Sequence, residues 1–189
     1  MDEPTLIRRA VAGDTAAWED LMLAHQQAVF RLAYLIVGDP DDAEDVAQET
    51  FLRAWKHLKG FDLKRPLRPW LLSITSNLSS NRRRSAGRYF AALTRAFRDE
   101  PAPVTIEEKS SEQLQANELW KAVQKLNTQD QQIVYLRYFL DLPIAEASQV
   151  LQVAEGTIKS RLSRALEKLR EIIKRDFPIL AERPEGHEA

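Results

Sequence analysis

Apolar residues recur every three or four positions along most of the chain, a pattern that predicts amphipathic helices. No stretch alternates β-branched and polar residues with the period of two that a half-buried strand requires. The first long helical pattern covers Ala16–Val37, and either Asp14 or Thr15 is placed to cap it. Gly38 and the residues after it end that helix, and the next one is predicted over Asp41–Leu58.

The remaining pattern predicts an all-α fold of two small helical domains joined by a flexible linker. A loop rich in glycine and proline covers Lys59–Pro69, and a third helix runs from Trp70 at least to Ser85. Residues 99–112 are polar, acidic and contain two prolines, as linkers do. The segments that follow are four more helices at 113–126, 129–140, 143–152 and 156–175, and a tail at 176–189 expected to be disordered. The predicted domains are therefore residues 1–98 and residues 113–175.

The composition removes several classes of function. The 189 residues include no cysteine, which excludes disulfides, thiolate zinc sites and cysteine nucleophiles. The chain has no glycine-rich phosphate loop and no His-x-Glu motif, and its three histidines are scattered. We therefore expect no catalytic residue, no metal site and no cofactor. The acidic N-terminus lacks the basic and apolar regions of a signal peptide, which predicts a cytoplasmic protein without membrane contact.

A formal net charge of −1 conceals a very uneven distribution of charge. Residues 1–51 carry 3 basic and 11 acidic side chains, whereas residues 52–98 carry 12 basic side chains and one acid. Residues 156–175 hold seven basic residues and two acids. A single charged run is usually a solvated face. Basic segments of this density favour a polyanion, and the phosphate backbone of a nucleic acid is the usual one.

The third predicted helix carries an unusual polar stripe. At about 100° per residue, a face only about 60° wide contains Trp70, Asn77, Asn81, Arg84 and Arg88. An aromatic ring can stack on an unpaired base, amides can bond base edges, and arginines can hold the backbone, a combination that suits opened or single-stranded DNA. Arg82 and Arg83 would add affinity for phosphate. Simple burial in the core is an equally open explanation for Trp70.

Residues 143–175 show the pattern of a helix-turn-helix. A short helix is followed by a turn with Gly156 and by a second helix, for which Thr157 is the predicted cap. One side of the second helix is apolar, and the rest carries Lys159, Ser160, Arg161, Ser163, Arg164 and Lys168. Small hydroxyl side chains can approach base edges while basic residues reach phosphates, as a recognition helix requires. An ordinary amphipathic surface helix is the alternative.

The second predicted helix is acidic where the third is basic. Its first turns carry Asp41, Asp42, Glu44, Asp45 and Glu49, with Gln48 among them. Acidic residues at this position favour the positive end of the helix dipole, which explains about two of the five. The remainder predict a protein partner with a basic surface.

Two pairs of segments resemble the bacterial sigma-70 family. Asp42–Trp55 and Pro69–Arg84 are similar to region 2 of these factors, and Leu126–Phe139 and Glu155–Ala165 are similar to region 4. Only these two regions and a short linker are present, which resembles the extracytoplasmic-function group of alternative sigma factors. The similarity covers about residues 5–175.

This resemblance implies a role for each surface. The acidic helix would bind the clamp helices of the β′ subunit of core RNA polymerase. The loop and the third helix would open the −10 promoter element, with a flipped base held near the loop. In the −35 element, Lys159, Ser160 and Ser163 would face bases, and Arg161 and Arg164 would lie near phosphates. Members of the group are commonly held inactive by an anti-sigma protein, which is therefore an expected partner.

The sequence leaves two other hypotheses open. A free-standing helix-turn-helix regulator would use only the second domain, with the first as a sensor. Residues 1–98 show a second nucleic-acid face instead of a phosphoacceptor or ligand motif. An enzyme acting on nucleic acid is the third hypothesis, and the sequence offers no catalytic motif for it. A promoter-specificity factor of RNA polymerase is therefore the favoured interpretation.

Overall fold

The computed structural model describes the backbone of residues 2–96 and 111–181, and the side chains of residues 2–85 and 115–180. Every regular element in those residues is helical, which confirms the all-α prediction. In chain order the elements are α1 (Glu3–Val11), α2 (Thr15–Val37), α3 (Pro40–His57), a 3-10 turn (Leu58–Gly60), α4 (Leu67–Ala96), α5 (Ser111–Gln124), α6 (Thr128–Val134), a π-helical segment (Tyr135–Phe139), α7 (Ile144–Leu151), α8 (Glu155–Asp176) and α9 (Pro178–Ala181).

Internal contacts divide the chain into two compact units. The first contains Met1–Arg98 and Tyr135–Glu155, and the second contains Asp99–Val134 and Gly156–Ala189. The N-terminal part of the first unit has the same bounds as the predicted first domain, residues 1–98. It also includes a segment that the sequence assigns to the second domain. Most of the predicted linker, residues 99–110, lies outside the described residues.

Side-chain caps and one glycine set the ends of the first long helices. Asp14 Oδ1 accepts a hydrogen bond from the backbone N–H of Ala17 at 3.2 Å, so Asp14 and not Thr15 is the cap of α2. Gly38 ends α2 with a φ of +82°, a conformation that glycine adopts without steric cost. Asp39 then caps α3 by accepting from the N–H of Asp42 at 2.9 Å. The acidic helix therefore begins at Pro40, one residue before its predicted start.

The apolar sides of α1 to α4 meet in one core. Ile7, Leu21, Val29, Phe51 and Leu71 are all buried there. Burying a side chain of this size contributes about 1.5–3 kcal/mol, before the loss of conformational entropy is counted. The helix α1, which supplies Ile7, is not among the helices that the sequence pattern predicts.

Glu3 connects three helices of this unit. Its Oε2 accepts a hydrogen bond from the backbone N–H of Leu67 at 3.0 Å, and its Oε1 lies 3.0 Å from Nε2 of the buried His25. A carboxylate from α1 thereby satisfies a free N–H at the start of α4. That start lies three residues before Trp70, so the loop is shorter than predicted.

The segment 135–155 packs on the same unit through α4. Arg68 Nη2 donates to the carbonyl oxygen of Leu140 at 2.9 Å, and Leu140 and Leu142 are buried. Helix α7 contacts α4 directly. The first half of the predicted helix-turn-helix therefore contributes side chains to the surroundings of α4.

In the second unit, a polar cluster fixes α6. Asp130 is 4% exposed, and its N–H and carboxylate both bond to the side chain of Asn127, at 2.9 and 2.7 Å. Gln131, also buried, donates to the carbonyl oxygens of Gln124 and Leu126. These bonds satisfy buried polar groups that would otherwise cost about 1–3 kcal/mol each.

The described part of the tail differs from the expectation of disorder. Phe177 is buried, Pro178–Ala181 form α9, and Asp176 Oδ2 lies 2.7 Å from Lys125 Nζ. The Lys125 ammonium also lies 5.0 Å from the centre of the Phe177 ring, within the range of a cation–π contact. The buried side chain of Phe177, just after α8, therefore anchors the tail, which is helical as far as Ala181. Residues 182–189 lie outside the described residues.

Candidate nucleic-acid interface

Three of the five residues in the predicted polar stripe of α4 are exposed. Asn77, Asn81 and Arg84 are all solvent-accessible. Arg84 Nη2 donates to Asn81 Oδ1 at 2.9 Å, and Arg84 Nε donates to the carbonyl oxygen of Ser80 at 3.1 Å. The structure thus brings the amide and guanidinium groups together on one face. The side chain of Arg88, the last member of the stripe, lies outside the described residues.

Trp70 takes part in both the core and the surface. It is half-buried, packs against the core cluster, and its ring centre lies 4.8 Å from that of Phe61. The same two rings line a cavity of about 460 Å³ together with loop residues and Ser73. Gln149 and Gln152, from α7 and its C-terminal cap, line it as well. The two explanations that the sequence left open for Trp70 are therefore compatible.

The side chain of Arg82 forms ion pairs with two acidic residues of α3. Its Nη2 lies 2.6 Å from Asp42 Oδ1 and 2.9 Å from Asp45 Oδ2, and its Nε lies 2.9 Å from Asp42 Oδ1. The hydrogen bonds and charge of Asp42, followed by those of Asp45, raise the pKa of the Arg82 guanidinium further above its usual range. One predicted DNA contact is thus paired with two predicted polymerase contacts. Its neighbour Arg83 is half-buried.

The side chains of α3 that are predicted to contact polymerase have different surroundings. Asp42 and Asp45 bond to Arg82, and Glu49 Oε1 accepts from Arg53 Nε at 2.6 Å. Asp41, Glu44 and Gln48 are exposed. The last two of these border a groove that the sequence pattern did not reveal.

This groove lies between α2 and α3 and has a volume of about 980 Å³. Most of its lining is apolar or aromatic and consists of Trp18, Met22, Phe30, Ala47, Phe51, Leu52 and Trp55. Phe30, Leu52 and Trp55 are 40%, 55% and 38% exposed, which is unusual for large apolar side chains that stand together. The predicted acidic surface therefore has an apolar part, which forms only when the two helices pack together.

Helix α8 exposes most of the residues predicted to contact the second DNA element. Lys159, Ser160, Ser163 and Arg164 are exposed, and Arg161 is half-buried. Thr157 is not the cap: α8 begins at Glu155, so Thr157 is its third residue. Helix α7 ends at Leu151, and its C-terminal cap Gln152 has a left-handed backbone with a φ of +55°. Only Val153 and Ala154 separate this cap from the first residue of α8.

Lys168 has a partner inside its own unit. Its Nζ lies 2.7 Å from the buried carboxylate of Asp130, so it joins α8 to α6. The carboxylate is almost fully buried while the lysine side chain is 54% exposed.

Within the residues described here, no three His, Asp or Glu side chains converge as metal ligands would. None of the described helices has the length and apolar character needed to cross a membrane.

Comparisons with known proteins match both parts of the chain. The family model Sigma-70 region 2 matches residues 21–89, and Sigma-70, region 4 matches residues 116–169. The chain is 28% identical over 180 residues to ECF RNA polymerase sigma factor SigW of Bacillus subtilis, covering 87% of this chain and 92% of SigW. It is 31% identical over 162 residues to ECF RNA polymerase sigma factor SigL of Mycobacterium tuberculosis, covering 85% and 91%.

A solved structure shows the same fold. The sigma factor RpoE of Bartonella quintana, crystallised with the anti-sigma factor NepR, is 27% identical, with a TM-score of 0.64 over 84% of this chain and 97% of RpoE. Regions 2 and 4 in this order define a sigma factor of RNA polymerase. The identity to SigL over most of both chains places the protein in the extracytoplasmic-function group of the sigma-70 family, which confirms the resemblance inferred from the sequence.

Proposed function

We propose that the protein binds core RNA polymerase and directs promoter-specific initiation by contacting the −10 and −35 elements of promoter DNA. The observation that best supports this proposal is the face of α4. Exposed Asn77, Asn81 and Arg84 lie on the helix that also supplies Trp70 to an aromatic cavity. Such a surface suits DNA whose bases have left the stack.

At the −10 element, the proposed sequence of contacts follows from the residue types. A base that leaves the duplex would stack in the cavity against Phe61 or Trp70, and each stacked base contributes about 1–3 kcal/mol. The amides of Asn77 and Asn81 would bond base edges, and Arg84 would hold a phosphate. Gln149 and Gln152 line the cavity in the free chain, so they would meet the base or move aside when it enters.

At the −35 element, α8 would enter the major groove of intact DNA. Ser160 and Ser163 are small and exposed, so they let the helix approach base edges, and the exposed Lys159 would face bases beside them. Arg161, half-buried, and Arg164, exposed, would contact phosphates. Two modest interactions on one chain reinforce each other because the second contact becomes intramolecular. This supports a factor that binds DNA weakly through either element alone.

For polymerase, the proposed contact surface combines the exposed acids of α3 with the α2–α3 groove. Asp41 and Glu44 would attract a basic partner, and Leu52 and Trp55 would bury apolar area beside them. An apolar centre with a charged rim is the usual anatomy of a protein interface. The β′ clamp helices implied by the family resemblance are the partner to which we assign this surface. The RpoE–NepR complex supports an anti-sigma protein as a further partner.

The direct test is transcription in vitro from a genomic promoter library, with sequencing of the run-off products. We expect start sites that share −10 and −35 elements only when this protein and core polymerase are both present. Regulation that occurs without assembly on the core enzyme would favour the free-standing regulator. Cleavage or modification of DNA by the protein alone would favour an enzyme.

A sharper test of the polymerase surface reverses its exposed charges. Asp41→Arg with Glu44→Arg should weaken binding to core polymerase about tenfold or more, because like charges placed across an interface cost several kcal/mol. The matched control is Glu19→Arg with Asp20→Arg, two exposed acids of α2 that do not line the groove. Equal binding by the α3 variant and the control would contradict the assignment of α3.

A further inference from the structure

Arg82 is placed where the two proposed surfaces of the first unit meet. It belongs to α4, the proposed DNA helix, and its guanidinium bonds to two carboxylates of α3, the proposed polymerase helix. Three donor–acceptor distances of 2.6 to 2.9 Å join it to Asp42 and Asp45, residues 40 and 37 positions away in sequence. While these bonds are intact, the guanidinium is occupied and two of the acids on α3 are neutralised.

The same side chain borders the DNA face. Arg82 lines a surface hollow together with Asn81 and Arg84, two members of the polar stripe. Asn81 and Arg84 bond to each other on their own helix, so they are positioned without help from α3. Arg82 alone of these three is held by the acidic helix, and a rotation of its long side chain would bring it to the DNA side.

We propose that Arg82 exchanges partners: α3 holds it in the free protein, and polymerase binding to α3 releases it to a phosphate of promoter DNA. The inference rests on the proposed function of α3 and α4. Basic groups of the polymerase would compete for Asp42 and Asp45, and the displaced guanidinium would form the charge-assisted, two-pronged bond with phosphate that arginine favours. Polymerase binding would thereby raise affinity for DNA, and DNA would raise affinity for polymerase by the same factor.

The exposure of the three side chains makes such an exchange feasible. Arg82 is 45% exposed, Asp42 32% and Asp45 63%, so solvent reaches the ion pairs and weakens them. A fully buried arrangement would hold too tightly for a partner to compete. An arginine side chain is not deprotonated in proteins, so the guanidinium stays charged in both arrangements.

The test measures binding of the full chain to a mixed-sequence single-stranded oligonucleotide, without polymerase, by fluorescence anisotropy over a series of salt concentrations. Asp42→Asn with Asp45→Asn should release Arg82 and raise the affinity about two- to fivefold, the range expected for exposed ion pairs. One more phosphate contact should also steepen the salt dependence by about 0.7. Asp41→Asn with Glu44→Gln is the matched control, since it removes the same number of negative charges from α3 at residues that do not bond to Arg82.

The decisive comparison adds Arg82→Ala to both backgrounds. We expect this change to cancel the gain in the Asp42→Asn/Asp45→Asn protein and to have little effect in the wild type, where Arg82 is already occupied. Equal gains in the control variant, or a gain that survives Arg82→Ala, would overturn the exchange. If the double variant unfolds, Asp42→Asn alone serves, because it removes two of the three hydrogen bonds that hold Arg82.

A separate measurement tells failure of this inference from failure of the proposed function. Wild-type protein and core polymerase should still give promoter-specific transcripts even if the oligonucleotide experiment shows no exchange. In that case Arg82 is a structural link between α3 and α4, and Arg82→Ala lowers the Tm without changing the dependence of DNA affinity on Asp42 and Asp45. Loss of specific transcription in the wild type would instead remove the proposed function itself.

Discussion

The two helices proposed to contact DNA share one local device. In α4, Arg84 Nε donates to the carbonyl oxygen four residues earlier, at 3.1 Å, and in α8 Arg164 does the same at 3.2 Å. Each arginine therefore lies along its own helix and is partly ordered before any ligand arrives. Less entropy is then lost when the guanidinium meets a phosphate.

The surroundings of the two helices differ. Helix α4 supplies Trp70 to a cavity with Phe61, and the neighbouring α3 holds Arg82. Helix α8 presents serines between basic side chains from Lys159 to Lys168, with no aromatic residue among them. An unpaired base needs a hollow and a ring to stack on, whereas the groove of a duplex needs a slim helix face. The difference supports the proposal that α4 captures opened DNA and α8 contacts intact DNA.

The largest expected effect comes from changing the proposed DNA contacts of α4 while those of α8 stay intact. Asn77→Ala with Asn81→Ala removes two exposed amides, and the rate of promoter opening should fall on the order of 100-fold, since each base-edge contact contributes about 1–3 kcal/mol. Permanganate reactivity of unpaired thymines in the −10 element measures opening. Protection of the −35 element in a footprint should persist, and its loss would show that the two helices do not divide the work.

A second prediction concerns the ion pair that joins α8 to α6. Asp130→Ala removes the buried acceptor of Lys168 and Asn127, and should lower the free energy of unfolding by about 2 kcal/mol. Calorimetry of the full chain measures this loss. Glu171→Ala, which removes an exposed acid of α8, is the control and should change stability little. Equal stability of both variants would mean that Lys168 is free to serve DNA.

Much of this arrangement was predictable from the sequence. Periodic apolar residues identify α2, α3, α4 and α8, because a helix that buries one side must repeat its pattern every three to four residues. The same periodicity indicates which side of α4 faces solvent, and Asn77, Asn81 and Arg84 are exposed as predicted. Local rules also give Asp14 as one of two candidate caps of α2, and the start of α3 to within a residue.

What the sequence could not show is which distant side chains meet. A helical wheel gives the face on which Arg82 lies but not that α3 supplies two acids to it. Likewise Lys168 and Asp130 are 38 residues apart, and Glu3 reaches Leu67 across 64 residues. Such pairs depend on how helices pack. The apolar groove was missed for the same reason, because Phe30 and Trp55 lie on different helices.

The next prediction sharpens the comparison from the α8 side. Arg161→Ala with Arg164→Ala removes two proposed phosphate contacts, and affinity for duplex DNA should fall about tenfold with a salt dependence shallower by about 2. The loss should be nearly the same for different sequences. Ser160→Ala is the matched comparison, since loss of a base contact should alter the preferred −35 sequence instead. Sequence-dependent losses in the basic variant would reverse these roles.

The smallest expected effect lies at the end of α8. Hydrogen bonds from Arg175, and then from Lys125, hold the pKa of Asp176 well below its usual range. Because the folded-state pKa is depressed, the stabilisation is present above the unfolded pKa of about 4 and is lost as pH falls below it. Asp176→Asn should therefore lower the Tm slightly at neutral pH. This difference in Tm from the wild type should become smaller as the pH is lowered below about 4. The effect is small because the carboxylate interacts with exposed cations, whereas burial of Phe177 anchors this end without any charge. A difference in Tm that persists unchanged in acid would show that Asp176 acts through packing and not through its charge.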